Sequence, residues 1–512
     1  MAIINSILSW FMKKRIHQIE LFIKYPHEVQ LDWFNRLIDH AKSTEWGKTY
    51  DYKSISRPEE FRQRVPVRTY ENFQPYIERL MKGEQNVLWP SDIKWFAKSS
   101  GTTAGKSKFI PVSTEAMEEC HYKGGKDLLS LYCNNNPETQ IFTGKGLIMG
   151  GSHQVNDISS ESFYGDISAI LMQNLPFWVQ MIRTPELSIA LMDHWEDKIE
   201  KMVESTVREN VTSISGVPTW TVVLAKRILE VTGKSNLLEV WPNLELFIHG
   251  AVSFTPYREQ FQKLIPSAEF NYLETYNASE GFFGIQDQSN SEEMLLMLDY
   301  GVYYEFVPMD ELGKDFPETV PLEDVQLNKN YALVITTNAG LWRYLIGDTI
   351  RFTSLNPYRI RITGRTKLYI NAFGEEVIIE NTDQAVKIAC DKTNSLVRDY
   401  TVAPVYFTEG ENGAHEWIVE FEKAPVSIEY FTEILDNALK SLNSDYEAKR
   451  YKDMALRLPV MRIVPQGTFY NWLKSKGKLG GQHKVPRLSN SREIIDEIHS
   501  ILQSGNKVKD SL

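Results

Sequence analysis

Four short polar clusters carry residue types suited to handling an anionic nucleotide. The first is KSSGTTAGKSKFIPVS, Lys98 to Ser113. Glycines allow close backbone approach to a phosphate, and serine and threonine hydroxyls donate to phosphate oxygens. A P-loop reads G-x-x-x-x-G-K-[ST] and opens a helix, whereas here Gly101 and Gly105 enclose only three residues before Lys106 and Ser107. Pro111, between β-branched Ile110 and Val112, makes the following segment extended, and DIKWFAKS before the loop also reads as a strand. The loop is therefore predicted to cap a β-hairpin. These residues alone fit a phosphate cradle and an ordinary solvent turn equally well.

The second cluster is LETYNASEGFFG, with Tyr276, Asn277, Ser279 and Glu280 between two hydrophobic segments. An aromatic ring four residues before a carboxylate can stack on a base while the carboxylate binds a metal on the phosphates. A core tyrosine and a solvated glutamate are the plain alternative. In the third, LWRYLIGDTIRF, Gly347-Asp348 reads as a turn whose carboxylate can accept hydrogen bonds from two sugar hydroxyls. In the fourth, ITGRTKLYINAFGEEV, Gly364 supplies flexibility and Arg365 a permanent charge suited to phosphate or carboxylate.

Positioning these clusters requires a large scaffold. At 512 residues the chain exceeds one ordinary core, so two or three domains are expected. Residues 1–85 read as mostly helical. GKGLIMGG, VTSISGVPTW, LELFIHGAVS and YALVITTNAG read as buried strands, with TVVLAKRILEVTG and YREQFQKLI as helices between them, giving an α/β core. Beyond about residue 365 the pattern predicts a small α+β domain, with helices in NTDQAVKIACDK and SIEYFTEILDNALKSLN and a hairpin from YTVAPVYF to HEWIVEFE. The apolar residues Ile3, Ile4, Ile7, Leu8 and Phe11 precede Lys13, Lys14 and Arg15, the reverse of a secretory signal, so a packed amphipathic first helix is expected.

The net charge of −11 argues against a general nucleic-acid or membrane-surface binder. Three widely spaced cysteines, Cys120, Cys133 and Cys390, make neither a disulfide framework nor a zinc site and fit a reducing cytoplasm.

The order of the four clusters, SSGTTAGKSKFIP, TYNASE, YLIGD and GR, resembles the adenylate-forming superfamily. With STEWGK, RPEEFRQRVPV and GQHKVPRL added, the chain more closely resembles the Gretchen Hagen family of acyl-acid amido synthetases, from about residue 30 to 490. The resemblance implies an adenylate-forming two-domain fold, with a large N-terminal α/β domain over 1–364 and a small mobile C-terminal α+β domain over 365–512. It further implies that Ser99, Ser100, Gly101, Thr102 and Thr103 hold the phosphates of ATP, and that Gly250, Ala251, Val252 and Ser253 pass beside the adenine. Tyr276 would stack on the base with Asn277 and Ser279 nearby, Glu280 would hold Mg²⁺, Asp348 the ribose, and Arg365 the ribose or phosphate at the hinge. Lys484 matches the lysine of the mobile domain, with Lys478 as an alternative. Leu345 stands where the family pattern usually has a basic residue, leaving Arg343 or Arg351 as substitutes.

The implied reaction activates a carboxylic acid as an acyl-AMP and transfers the acyl group to an amino acid, releasing AMP and pyrophosphate. A thioester-forming ligase and a non-catalytic nucleotide- or acid-binding relative are the competing expectations. The acid pocket is expected to use Val217 and Trp220 and the helix from Tyr122 to Leu131, residues that serve equally well as core. Neither the acid nor the amino acid is specified by these motifs.

Overall fold

The alternation of apolar runs with glycine- and proline-marked breaks is realised as two compact units. The computed structural model describes residues 5, 10, 12, 14–99, 108–150, 156–157, 162–175, 177–192, 194–252, 254, 257–289, 291–366, 369–408, 411–476 and 485–509. One unit comprises Met1–Ser99, Lys108–Ala251 and Arg258–Thr366; the other is built on Lys367–Leu512 with Val252–Tyr257.

In the first unit the expected hairpin is present. Strands β1 (Trp95–Ser99) and β2 (Lys108–Val112) pair antiparallel, with Ser99 opposite Lys108. After β3 (Lys145–Ile148), strands β4 (Asn156–Asp157) and β5 (Phe163–Gly165) extend this hairpin into a four-stranded sheet of order β2-β1-β5-β4.

The main sheet adds to β3 the strands β6 (Arg183–Thr184), β7 (Val211–Ser215), β8 (Leu246–Gly250), β9 (Asn271–Ala278) and β10 (Gly281–Ile285). It continues through β11 (Met294–Leu296), β12 (Val302–Pro308), β13 (Asn330–Thr337), β14 (Tyr344–Leu355) and β15 (Tyr358–Arg365). The order of these eleven strands is β12-β13-β14-β15-β11-β10-β9-β8-β7-β3-β6. Neighbours from β6 to β9 are parallel, and those from β9 to β12 antiparallel. β9 is thus the junction of two kinds of sheet.

Helices complete the crossovers of the parallel half. The helix Pro218–Thr232 carries proline in its first turn and ends at Gly233, whose φ of 66° satisfies the left-handed stop that favours glycine. The helical N-terminal region packs on the antiparallel half, placing Ile19, Phe22, Phe34 and Leu37 in one hydrophobic cluster with Tyr303, Tyr304 and Phe306. The apolar residues Ile3, Ile4, Ile7, Leu8 and Phe11 lie outside the described residues.

One local expectation is overturned. Gly347-Asp348 does not form a turn; it lies within the continuous strand β14. Between the pairs Val334–Leu345 and Ala332–Thr349, β14 advances four residues while β13 advances two, so the dipeptide sits in a bulge. Gly347 has a φ of 100°, which explains a glycine that resembles a turn signal in sequence.

The second unit is α+β. It has the short pair β16 (Tyr369–Ile370) and β17 (Val377–Ile378) and a three-stranded sheet of β18 (Leu396–Val405), β19 (Ala414–Lys423) and β20 (Val460–Val464). The helices Ile379–Thr393 and Ile428–Leu442 occupy the two segments predicted as helical, the latter capped by Ser427 Oγ accepting from Tyr430 N–H at 3.1 Å.

Candidate active site

In open parallel sheets, ligands bind beyond the carboxyl ends of the strands, where successive connections leave in opposite directions. Here the chain runs from β3 outward to β6, then returns to β7 on the other side of β3 and continues to β8 and β9. The switch point lies between β3 and β7. Val217, half-buried, and Trp220, buried, follow directly from the carboxyl end of β7 and open the next helix. By contrast, Leu128 and Leu131 of the other expected acid-binding segment are buried in the main hydrophobic cluster, and Tyr122 donates its hydroxyl to the Leu171 carbonyl at 3.0 Å.

The carboxyl end of β8 is Gly250, followed by Ala251 at a φ of 69°. A Cβ on Gly250 would stand 2.6 Å from the Thr275 carbonyl oxygen and 2.9 Å from its Oγ1. The strand end therefore lies against β9 with no room for a side chain. We expect Gly250→Ala to push β8 from β9 and lower the melting temperature, since overpacking costs about 1–3 kcal/mol. Calorimetry checks this; a variant with the native melting temperature would show that the backbone yields freely.

Three of the sequence motifs converge. The Tyr276 hydroxyl donates to Asp348 Oδ2 at 2.6 Å, and Arg365 Nε pairs with Asp348 Oδ1 at 2.8 Å. Cross-strand register sets the Asp348–Arg365 pair, because Asp348 of β14 lies opposite Arg365 of β15, whereas Tyr276 comes from β9, which is adjacent to neither strand in the sheet order. Tyr276 is 4% exposed, and burial and then the Asp348 carboxylate push its phenol well above the usual range. Its ring packs edge-on against Phe283 at 5.1 Å between centroids.

Glu280 follows β9 in the turn to β10 and is half-buried. Tyr344 donates its hydroxyl to Glu280 Oε1 at 3.3 Å. Burial raises the Glu280 pKa; Lys108 opposes the shift most strongly, Asp348 adds to it and Arg365 opposes it. Asn277 is exposed and Ser279 half-buried on the same hairpin. Val252 is buried, and Ser99 ends β1 half-buried.

Lys108 and Tyr344 are absent from the sequence-based candidates. Lys108 carried a readable signal: strand periodicity puts it on the same face as Ile110 and Val112, both buried. Tyr344 becomes visible only in the fold, where its hydroxyl on β14 reaches the β9–β10 turn that carries Glu280. Arg343 does not replace the basic residue missing at Leu345. Its guanidinium donates to Glu305 at 2.9–3.2 Å, to the Arg62 and Val65 carbonyls at 2.8 and 2.5 Å, and to Thr319 Oγ1 at 2.7 Å. Every arm is committed to the core. Arg351 stands on β14 opposite Asn330 and Arg361. Ser100, Gly101, Thr102, Thr103, Ser253, Lys478 and Lys484 lie outside the described residues.

A parallel-to-antiparallel sheet with a polar carboxyl edge, joined to an α+β unit, is the adenylate-forming architecture. The GH3.15 acyl acid amido synthetase structure matches with a TM-score of 0.61 at 17% identity, covering 95% of this chain and 96% of that one. A 2-hydroxyisobutyryl-CoA ligase matches at 0.57 with 13% identity, covering 94% and 93%. Models of the GH3 family N-terminal, central and C-terminal domains match residues 15–270, 295–365 and 380–493. The chain belongs to the GH3 family. Among its relatives, indole-3-acetic acid-amido synthetase GH3.3 of Arabidopsis thaliana is 23% identical, covering 95% of this chain and 93% of the relative.

Proposed function

We propose that the chain is an ATP-dependent ligase that adenylates a carboxylic acid and passes the acyl group to an amino acid, forming an amide. The observation that carries this reading is the convergence of Tyr276, Glu280, Asp348 and Arg365 within one unit, through the Tyr276–Asp348 hydrogen bond, the Arg365–Asp348 pair and the charges that act on Glu280. In the first step a carboxylate oxygen attacks the α-phosphorus of ATP, and the bond to the bridging oxygen breaks to release pyrophosphate. In the second, an amine attacks the acyl carbon, AMP departs with the former carboxylate oxygen, and the amine loses a proton. The first step brings two anions together, so preorganised positive and hydrogen-bonding groups lower its barrier.

In this reading Ser99, Ser100, Gly101, Thr102 and Thr103 cradle the phosphates, while Gly250, Ala251 and Val252 flank the adenine with Asn277 and Ser279 nearby. Asp348 accepts from the ribose hydroxyls, with Arg365 orienting its carboxylate. Because so little of Tyr276 is exposed, orienting Asp348 through its hydroxyl is a better-supported role than stacking on the base. Glu280 suits Mg²⁺, which binds proteins through one or two carboxylates and takes further ligands from substrate phosphates. Among the described residues no group of three or more His, Cys, Asp or Glu could hold a metal. Bound at Glu280, Mg²⁺ would neutralise phosphate charge. Lys484, with Lys478 as alternative, would come from the second unit, moving about a hinge near Arg365. Val217 and Trp220 would border the acid. No described helix is long and apolar enough to cross a membrane, and a cytoplasmic enzyme is the reading we adopt.

A screen of acids against amino acids, followed by pyrophosphate release and product mass, tests the proposal. Amide plus AMP supports it; thioester formed with CoA in place of amide transfers it to the rival ligase; no pyrophosphate with any acid leaves only binding. We further expect Asp348→Asn to raise the KM for ATP by about tenfold or more, as an amide replaces a charge-assisted acceptor. An unchanged KM with a native melting temperature would remove Asp348 from the ribose site.

A further inference from the structure

Paired residues of neighbouring strands share a face of the sheet. One row across the parallel half is therefore Arg183, Gly146, Ser213 and Leu246, and the next, nearer the carboxyl edge, includes Ile148, Ser215 and Ile248. The opposite face is closed, since Leu147, Ile214 and Phe247 are buried. On the first face Leu246 and Ser213 are buried and Ile248 packs against the main hydrophobic cluster, but Gly146, Ile148 and Ser215 are partly exposed although they lie on interior strands of an eleven-stranded sheet. The covering is thus incomplete over β3 and the end of β7. This face opens beside the switch point, and glycine at 146 keeps the floor low next to Arg183.

Arg183 is 4% exposed, and its guanidinium makes one hydrogen bond, from Nη1 to the Pro185 carbonyl at 3.0 Å. That acceptor lies two residues further along the chain, so the side chain runs toward the carboxyl edge. Its Nε has no partner, and no carboxylate pairs with it among the described residues. Burial lowers its pKa with no compensating acid. The contrast with Arg343, equally buried but saturated by Glu305, carbonyls and Thr319, is direct. A buried guanidinium lacking its anion is costly unless a ligand supplies one.

We propose that Arg183 forms the far end of the acid pocket and selects acyl acids that carry a second carboxylate. The inference rests on the ligase reading above. If the reacting carboxylate sits near the end of β8, then β6 is three strand spacings away, about 14 Å, which sets the reach of the diacid. Planar, bidentate pairing with the second carboxylate would complete the guanidinium's bonding. The partly exposed Gly146, Ser215 and the aliphatic Ile148 and Ile248 would hold the intervening chain.

The test compares linear diacids and aryl diacids with monoacids of equal length, in wild type, Arg183→Met and Arg183→Lys. Pyrophosphate release gives kcat/KM, and thermal shift without ATP gives binding independent of turnover. The expected result is a wild-type preference for diacids. Arg183→Met should lower the diacid-to-monoacid ratio by about 10–100-fold, the worth of a hydrogen bond to a charged group, with Arg183→Lys intermediate. Diacid-induced stabilisation should vanish in Arg183→Met. Equal handling of diacids and monoacids by wild type, or an unchanged ratio in a folded Arg183→Met, overturns the proposal while leaving the ligase reading intact. Diacid stabilisation dependent on Arg183, without pyrophosphate release from any acid, sustains the pocket and removes the ligase reading instead.

Discussion

Glu280→Gln is expected to reduce acyl-AMP formation by about 10²–10³-fold, the loss typical for one preorganised electrostatic element. The amide keeps the size of the side chain and removes the negative charge required to hold a cation. Pyrophosphate release at saturating acid, measured across Mg²⁺ concentrations, checks this. Wild-type rates with unaltered Mg²⁺ dependence would reduce Glu280 to a structural partner of Tyr344. A pH effect follows from its environment. Because burial raises its folded-state pKa, adenylation should fall on acidification through that raised value, at a higher pH than for an ordinary carboxylate. The sign for stability is opposite. A carboxyl whose pKa rises on folding favours the fold when protonated, and this contribution is lost as pH rises from the unfolded value through the folded one. Glu280→Gln should therefore flatten both dependences.

The second large effect concerns stability. Arg343 and Glu305 have side chains 4% and 1% exposed and pair at 2.9 Å. Removing either partner strands the other charge, so Glu305→Ala is expected to destabilise the first unit by about 3–5 kcal/mol. Urea unfolding followed by tryptophan fluorescence measures the loss. Arg343→Met combined with Glu305→Leu should recover most of it, because an apolar pair carries no uncompensated charge. If Glu305→Ala costs under about 1 kcal/mol, solvent reaches the pair and the buried description fails.

The contrast between Arg343 and Asp348 shows what the sequence could disclose. The carboxylates at 280 and 348 and the guanidinium at 365 were readable as residue types suited to one chemistry, and Asp348 and Arg365 do meet. The hairpin and buried strands were readable from local apolar periodicity. The environment of Arg343 depends on Glu305, which is 38 residues away, and on register between strands that no local window contains. Gly347-Asp348 misled for a related reason: positive φ selects glycine in turns and bulges alike, and the neighbouring strand decides between them. Arg183 gave no signal, because its place beside Gly146 is set by parallel pairing between β6 and β3, 37 residues apart, which no local window contains.

The change of pairing at β9 has an evolutionary consequence. Strands on its parallel side present the open face near Arg183, while strands on its antiparallel side present Asp348 and Arg365. Mutations that remodel the choice of acid can accumulate around Arg183 without touching Asp348 and Arg365 on the other flank. A lineage built on this sheet can therefore diversify its substrates by drift at Gly146, Ile148 or Ser215 while that pair is inherited unchanged.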